Sequence, residues 1–209
     1  MSTARLLLVR HATTAETRRA AFPSTTGAGP VEGCPPLDRA GIQAAAALEP
    51  HLPAPDRGWS SHACRALQTA ALAGVEVVAD SDLAEGDWGR WAGRTPTEVH
   101  ATEPETLAAW YADLETAPHG GEPLRDVRAR ARRILHRAES AGGTTIAFTH
   151  GGLVGAALLE ALDLPAAALW RLEASPGSVT ELHPGGTGWR LVRLNWTPAL
   201  GAPARAAVA

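Results

Sequence analysis

The chain has 209 residues, of which 45% are hydrophobic and 20% charged, and its formal net charge at pH 7 is −3. This composition is ordinary for a globular protein and gives no reason to expect nucleic acid or a membrane as a partner. No apolar run approaches the roughly 20 residues needed to cross a bilayer. The two cysteines, Cys34 and Cys64, match neither a disulfide framework nor a zinc site. We therefore expect a soluble cytoplasmic protein.

The first element is a run of four apolar residues, Leu6-Leu7-Leu8-Val9, which is typical of a strand buried on both faces. Arg10 and His11 follow it directly. Ligands of α/β proteins bind at the carboxyl ends of parallel strands, which makes this junction a candidate site. An isolated Arg-His pair is more often a polar strand end that faces solvent. The interpretation of this junction as a binding site therefore depends on later strands that also end next to an arginine or a histidine.

Loops, helices and short strands follow in alternation. The small residues, glycines and prolines of residues 15–36 predict a long loop. Asp38 is the candidate N-cap of a helix that extends to about Leu52. The apolar stripe of that helix is predicted to contain Ile42, Ala45, Ala46 and Leu48.

Nine further elements are predicted before residue 178. They are a strand ending at Ser61, a helix over 62–73, a strand over 75–79, an irregular loop over 83–95, helices over 98–100, 104–115 and 124–140, a strand over 144–149 and a helix over 153–162. The arginines of the 124–140 helix are interpreted as a solvated face.

The last third predicts a hairpin at the sheet edge, formed by strands at 178–183 and 189–195 around a Pro-Gly-Gly turn. Residues 197–209 are rich in Ala and Pro and predict a flexible C-terminal tail. Strands that alternate with helices indicate an α/β fold with a mostly parallel sheet. We predict a three-layer α/β/α sandwich with an edge hairpin, built as a single domain over residues 1–196.

Three strand-to-helix junctions carry cationic or imidazole groups. They are Arg10-His11, Arg65 one turn into its helix, and His150 before Gly151-Gly152. Parallel strands present their carboxyl ends on one side, so these groups are expected to converge. Two arginines and two histidines suit a dianionic phosphate, to which a helix N-terminus adds amide donors. Positive neighbours lower the pKa of a histidine and favour the neutral, nucleophilic imidazole. A metal site competes as an interpretation, but ligand-spaced carboxylates or thiols are missing.

The segment Leu8–Thr14 resembles the signature of the histidine phosphatase superfamily, branch 1, which is phosphoglycerate mutase-like: Arg-His-Gly followed, two positions on, by Thr. Further segments agree with the family in order and spacing over roughly Leu6 to Leu162. They are residues 36–44, 60–70, 83–93, 120–122 and 149–152.

The resemblance implies a role for each matching residue. His11 would accept the phosphoryl group, and Arg10, Arg65 and His150 would bind its oxygens. Glu85 would protonate the leaving alcohol and then activate water. Asp87 is the fallback acid. Binding of phosphate or substrate would also involve Thr17, Gly151, Arg18, Phe22 and Trp88, and further candidate walls of the leaving-group pocket are Arg19, Trp91, Trp110 and His119.

Two positions depart from the family pattern. Ala12 replaces the usual glycine, and its methyl group could narrow the pocket unless the backbone keeps a negative φ. Pro123 replaces a serine and removes a hydroxyl contact. The tryptophans could stack on an aromatic base, but with seven in the chain each one is more often a core residue than a pocket wall.

Within the family, the chain resembles the α-ribazole-phosphate phosphatase-like proteins of cobalamin assembly. A phosphatase that hydrolyses a small-molecule phosphate ester, without metal or cofactor, is therefore the leading prediction. A phosphoglycerate-mutase-type phosphoryl transferase is the alternative, disfavoured because family mutases tend to be longer than 209 residues. A phospho-ligand binding module or a protein phosphatase is a third reading. A homodimer is compatible with all of them.

Overall fold

The computed structural model of the protein describes residues 4–24 and 36–198. Its centre is a six-stranded sheet with the order β3-β2-β4-β1-β5-β6. The strands are β1 (Arg5–Arg10), β2 (Arg57–Ser60), β3 (Val78–Ala79), β4 (Thr144–Thr149), β5 (Val179–Gly185) and β6 (Gly188–Trp196). The helices are α1 (Ala15–Arg18), α2 (Arg39–Ala46), α3 (Cys64–Leu72), α4 (Pro96–Thr102), α5 (Pro104–Ala112), α6 (Leu124–Ala141) and α7 (Gly151–Ala161).

The sheet is mostly parallel, as the alternation of strands and helices predicts. Strand β1 pairs in parallel with β4, and β4 pairs in parallel with β2. Their registers place Arg10 opposite Thr149 and Ser60 opposite Phe148, so the three strands end at the same level. Strand β5 runs antiparallel to both β1 and β6. The predicted α/β class and the edge hairpin are confirmed.

The sheet is covered on both faces because side chains of a strand alternate in direction. Leu6 and Leu8 of β1 pack in one hydrophobic cluster with residues of α6 and α7. Leu7 and Val9 pack in another cluster with α3 residues such as Ala66. The apolar run of β1 is thus the middle of a three-layer sandwich, which explains why its sequence shows no polar alternation.

Several predicted boundaries differ from the observed ones. Helix α2 ends at Ala46, and a 3-10 turn covers Glu49–His51, because Pro50 lacks the amide hydrogen that a continuing α-helix needs. Ile42 is 47% exposed and is not part of the buried stripe, since only one narrow side of this short helix faces the core. Strand β3 covers two residues of the five predicted.

The predicted loop over 15–36 begins with the short helix α1. A reciprocal capping box causes this turn: the side chain of Thr14 accepts from the amide of Thr17, and the amide of Thr14 donates to the hydroxyl of Thr17. Residues 25–35 of the predicted loop lie outside the described residues. So do residues 199–209 of the predicted tail.

Cys64 is disulfide-bonded, so the expectation that the cysteines form no bridge is wrong. Sequence spacing carries no signal for a single bridge, because the approach of two cysteines is decided by the fold. The cysteine basis for a reducing compartment is thereby removed, and the cytoplasmic location stays a prediction. Within residues 4–24 and 36–198, no helix is long and apolar enough to cross a membrane.

Glu181 of β5 is a buried carboxylate at the antiparallel side of the sheet. Its Oε1 accepts from Arg5 Nε at 2.6 Å and lies 2.7 Å from His183 Nε2. Burial acts to raise the pKa of Glu181, but the hydrogen bonds from Arg5 and His183 outweigh burial and lower it below 4.5. The ionised carboxylate therefore ties β1 to β5.

We expect Glu181→Gln to lower the free energy of unfolding by about 1.5–3 kcal/mol at pH 7, since it removes hydrogen bonds to a charged group. The pKa of Glu181 is depressed in the folded state. The contribution is therefore complete above the unfolded value of 4.5 and is lost as the pH falls through the folded pKa. Urea unfolding at pH 7 and at acidic pH measures the difference. Glu139→Gln, at an exposed position of α6, is the control. A difference between Glu181→Gln and wild type that persists unchanged at low pH would contradict this assignment.

Candidate active site

The ends of β1, β2 and β4 bring together the side chains that follow them. His11 comes directly after β1, Ser61 directly after β2 and His150 directly after β4. The rings of His11 and His150 lie 5.1 Å apart between centroids. Arg65, in the first turn of α3, reaches between them. All four side chains are buried.

The protonation of the His11 ring follows from its contacts. Its Nδ1 lies 2.8 Å from the carbonyl oxygen of Ala12, and a carbonyl can only accept, so Nδ1 carries the hydrogen. Arg65 Nε donates to His11 Nε2 at 3.2 Å. The Nε2 atom therefore holds a lone pair. Burial, followed by the charge of Arg65, lowers the pKa of His11 to about 3, so that the ring is neutral at physiological pH.

His150 lies behind Arg65. The guanidinium of Arg65 donates to His150 Nδ1 at 3.3 Å, which leaves the hydrogen on Nε2, and that atom lies 2.9 Å from Ser61 Oγ. Burial, followed by the neighbouring His11 and Arg65, lowers the pKa of His150 well below 6.5. Both of its ring nitrogens are thus engaged, and they hold Arg65 in place.

Two guanidinium groups supply the positive charge of the site. Arg10 Nη1 donates to the carbonyl of Ala174 at 2.5 Å, while Arg10 Nε is buried without a partner. Burial lowers the pKa of both arginines, and Arg65 lowers that of Arg10 further, against the opposing charge of Glu85. Burying Arg10 Nε without a partner and burying two guanidinium charges both cost free energy. A bound anion would offset this cost.

Glu85 is buried, although its position in a loop is more typical of an exposed carboxylate. Its Oε1 accepts from the amide of Gly86 at 2.9 Å, and its Oε2 accepts from the amide of Gly152 at 3.3 Å. A Cβ atom at Gly152 would lie 2.2 Å from Oε1. The second glycine after His150 therefore lets the carboxylate approach the N-terminus of α7.

Arg130 of α6 fixes the loop that carries Glu85. Its Nη1 donates to the carbonyls of Asp82 at 3.0 Å and Ala84 at 2.6 Å, and its Nη2 reaches the carbonyl of Glu85 at 3.5 Å. Glu122 binds the same guanidinium through both carboxylate oxygens. The interpretation of the α6 arginines as a solvated face is therefore wrong for Arg130, because the acid loop packs on that part of the helix.

A cavity of about 460 Å³ opens beside these groups. Arg10, His11, Arg65 and Glu85 lie at its inner end, and His150 is buried next to Arg65 and His11. Of the other residues predicted to bind substrate, Thr17, Phe22, Trp88, Trp110 and Gly151 line it. The hydroxyl of Thr17 donates to the carbonyl of Thr14 at 2.8 Å.

Arg18 and Arg19 do not line this cavity. Arg18 pairs with Asp38 at 2.5 Å, and Arg19 pairs with Glu98 at 3.4 Å, both on the exposed surface. These ion pairs hold both guanidinium groups at the surface.

The remaining candidates lie beside or behind the cavity. Trp91 is fully buried in the core, and His119 lines a neighbouring cavity of about 50 Å³ together with Asp87. Ala12 has no positive φ, and its methyl group packs with Leu37 and Ala45. The methyl group therefore does not narrow the cavity.

Sequence reasoning missed several residues of the site. Ser61 lies in the matching segment 60–70, but the sequence indicates no role for it. The outer cavity wall contains Glu16, Tyr111, Trp170 and Glu173. Trp170 belongs to a 3-10 turn over Ala166–Arg171, where no periodicity marks the residues that face inward. Within the described parts of the chain, no group of three His, Cys, Asp or Glu residues could hold a metal ion.

A family model for the histidine phosphatase superfamily (branch 1) matches residues 6–197. The chain belongs to the histidine phosphatase superfamily. The match covers β1 through β6 and so includes every strand end described above.

Relatives with curated names lie in the same superfamily. The chain is 30% identical to an adenosylcobalamin/alpha-ribazole phosphatase of Salmonella typhimurium, over 83% of this chain and 87% of that one. It is 35% identical to a glucosyl-3-phosphoglycerate phosphatase of Mycolicibacterium vanbaalenii, over 51% and 53%. A bifunctional protein of Mycobacterium tuberculosis is also 35% identical, over 58% of this chain and 35% of its own length. The chain thus spans about a third to a half of the length of several relatives.

Solved structures agree over nearly the whole chain. The mycobacterial glucosyl-3-phosphoglycerate phosphatase in complex with VO3 superimposes with a TM-score of 0.76 at 30% identity, covering 92% of this chain and 98% of that one. A protein named mycobacterial hydrolase 1 gives a TM-score of 0.78 at 28% identity, with 93% and 99% covered. The described fold is therefore that of the superfamily.

We expect Gly152→Ala to displace the Glu85 carboxylate, because the new methyl group would overlap Oε1. Displacement of a reacting group by about 1 Å can reduce activity on the order of 100-fold. Phosphate-ester turnover and thermal unfolding measure activity and folding separately. Gly186→Ala, where a Cβ meets open space, is the control. Unchanged turnover in Gly152→Ala would contradict the placement of Glu85.

We expect Arg130→Met to lower kcat about 10-fold with little change in KM, since Arg130 holds the loop of Glu85 and does not line the cavity. Arg130→Lys is expected to restore activity only in part, because one ammonium group cannot reach three carbonyl oxygens in a fixed geometry. Arg125→Met, at an exposed position of the same helix, is the control. A change confined to KM would exclude a positioning role for Arg130.

Proposed function

We propose that the protein is a phosphatase that hydrolyses a small-molecule phosphate ester through a phosphohistidine on His11. The observation that carries the proposal is the lone pair on His11 Nε2, which lies beside two buried guanidinium groups and shares one cavity with the Glu85 carboxyl group. Neutral imidazole is a competent nucleophile, and covalent catalysis divides a difficult transfer into two easier steps.

In the first step, Arg65 Nε releases its hydrogen bond to His11 Nε2, which attacks phosphorus as the bond from phosphorus to the ester oxygen breaks. Arg10 and Arg65 bind the non-bridging oxygens, and Arg10 Nε is the unpartnered donor available for one of them. Protonated Glu85 gives its proton to the leaving oxygen, which departs as an alcohol. His150 acts through Arg65, which differs from the direct oxygen contact that the sequence resemblance implies.

In the second step, the Glu85 carboxylate takes a proton from a water molecule, whose oxygen attacks the phosphohistidine. The bond between phosphorus and Nε2 breaks, which regenerates neutral His11 and protonated Glu85 and releases inorganic phosphate. The charges at the inner end of the cavity stabilise the transferring phosphoryl group in both steps. These steps need no metal, and metal independence is part of the proposal.

The relatives indicate two kinds of substrate. The Salmonella relative, which matches over most of both chains, is named for alpha-ribazole phosphate, and it supports the cobalamin-related candidate suggested by the sequence resemblance. The mycobacterial relatives are named for glucosyl-3-phosphoglycerate. A phosphoglycerate mutase of Gloeobacter violaceus is 31% identical over 45% of this chain, which keeps phosphoryl transfer as the second candidate function.

We expect wild-type protein to hydrolyse 4-nitrophenyl phosphate in the presence of EDTA, and His11→Ala to lose at least on the order of 10⁴-fold in kcat, because it lacks the nucleophile. Rapid quenching at neutral or alkaline pH should trap one acid-labile phosphoryl group on wild type and none on the variant. His100→Ala, at an exposed position of α4, is the control.

The products separate the two candidate functions. Release of inorganic phosphate at the rate of alcohol formation supports the phosphatase, whereas transfer to an added glycerate acceptor at the expense of phosphate release supports the transferase. Turnover that persists in His11→Ala would exclude the phosphohistidine mechanism.

A further inference from the structure

The outer part of the main cavity carries negative charge. Apart from Arg10, Arg65 and Glu85 at its inner end, the charged side chains among the described lining residues are Glu16 and Glu173. No other arginine and no further histidine beside His11 lines the described part of the cavity. The phosphate end is therefore cationic, and the end for the leaving group is anionic.

The two glutamates lie on separate elements. Glu16 is in α1, and its Oε1 accepts from Ser24 Oγ at 2.5 Å. Glu173 follows the 166–171 turn, and its Oε1 accepts from Ser175 Oγ at 2.9 Å. Their charges reach the inner site, because Glu16 acts to raise the pKa of Arg65 and Glu173 acts to raise that of Arg10. Neither carboxylate is paired with an arginine in a hydrogen bond that the structure shows.

An aromatic rim faces the same part of the cavity. It consists of Trp110 and Tyr111 of α5 and of Trp170 from the 3-10 turn at 166–171. The ring centroids of Trp170 lie 5.2 Å from Trp110 and 5.1 Å from Tyr111. Trp170 is 50% exposed and Tyr111 is 46% exposed, so both rings keep a free surface at the opening. Large aromatic side chains with free surface next to a cavity are typical of binding sites.

We propose that Glu16, Glu173 and the aromatic rim select phosphate esters whose leaving group contains a planar ring and no negative charge. This inference rests on the proposed phosphatase function and specifies its substrate class. A carboxylate on the leaving group would enter the field of two glutamates without a cation to bind it. A planar ring would stack against Trp170 or Tyr111 in an offset or edge-to-face arrangement.

The proposal distinguishes between the substrates for which the relatives are named. A phosphoglycerate carries a carboxylate next to its phosphate ester, and this cavity disfavours it. A nucleotide-like ester with a neutral aromatic base satisfies both requirements, as does any similar aromatic alcohol phosphate. Trp170, Tyr111, Glu16 and Glu173 are specificity-determining residues in this description.

The test is a charge series on one scaffold: benzyl phosphate, 4-carboxybenzyl phosphate and 4-(aminomethyl)benzyl phosphate. These esters release primary alcohols of similar acidity, so their kcat/KM values compare binding of the leaving group. We expect the carboxylate to be disfavoured on the order of 10-fold relative to the neutral ester, and the ammonium ester to be at least as good as the neutral one.

The same series is measured with the double variant Glu16→Gln, Glu173→Gln. We expect the ratio between the neutral and the carboxylate ester to fall toward one, since both carboxylates are replaced by neutral amides of the same shape. Glu76→Gln, at an exposed position before β3 that does not line the cavity, is the control and should leave the ratio at the wild-type value.

The aromatic rim is tested by comparing benzyl phosphate with cyclohexylmethyl phosphate, which has similar bulk but no π system. We expect wild type to favour the benzyl ester about 2- to 10-fold, and Trp170→Ala or Tyr111→Ala to reduce that preference. Trp189→Ala, in the edge hairpin, is the control. Thermal unfolding of each variant reports whether a loss reflects folding.

The outcomes separate this inference from the function on which it rests. Turnover of the esters with equal kcat/KM for the neutral and the carboxylate ester overturns the inference and leaves the phosphatase function intact. A ratio that does not change in the double glutamine variant also overturns it. Absence of turnover with every ester, including 4-nitrophenyl phosphate, overturns the phosphatase function and the inference together.

Discussion

The site depends on one constraint, which is that three neighbouring parallel strands end at the same level of the sheet. The chain continues from β1, β2 and β4 with His11, Ser61 and His150, and Arg65 connects the two histidines by hydrogen bonds. Burial of the two imidazoles, together with the nearby guanidinium charges, keeps both histidines neutral. The buried guanidinium groups also make a phosphate group a favourable occupant. The neutral His11 ring and the cationic groups thus belong to one buried cluster.

A second layer of contacts holds the Glu85 carboxylate in the cavity that His11 also lines. The amide of Gly152 binds Glu85 from the helix side, and Arg130 binds the backbone of its loop from α6. A loop has little rigidity of its own, because its backbone lacks the regular hydrogen bonds of a helix or strand. Here an arginine and its partner Glu122 supply that rigidity, so the acid is placed by side-chain contacts across three elements.

The inner and outer parts of the cavity are built differently. Strand ends and helix starts form the inner part, whereas the outer wall comes from α1, α5 and the 3-10 turn at 166–171. Regular elements tolerate little change in their geometry, while irregular segments vary more freely among related proteins. Relatives of this chain are named for different phosphate esters. This agrees with a constant inner part and a variable outer part of the cavity.

The sequence by itself determined the fold class, the central strand and the residues at the three junctions, because apolar runs and motif spacing are local properties that the sheet geometry converts into proximity. Its motif also marked Glu85 as the candidate acid. Only the tertiary structure decided that Arg18 and Arg19 pair at the surface, that His150 binds Arg65, and that Arg130 binds the backbone of the loop that carries Glu85. It alone brought Trp170 to Tyr111 and placed Glu16 and Glu173 on one cavity. These contacts join residues that are distant in sequence and lie in irregular segments. In such segments no periodicity in the sequence predicts which side chain faces inward.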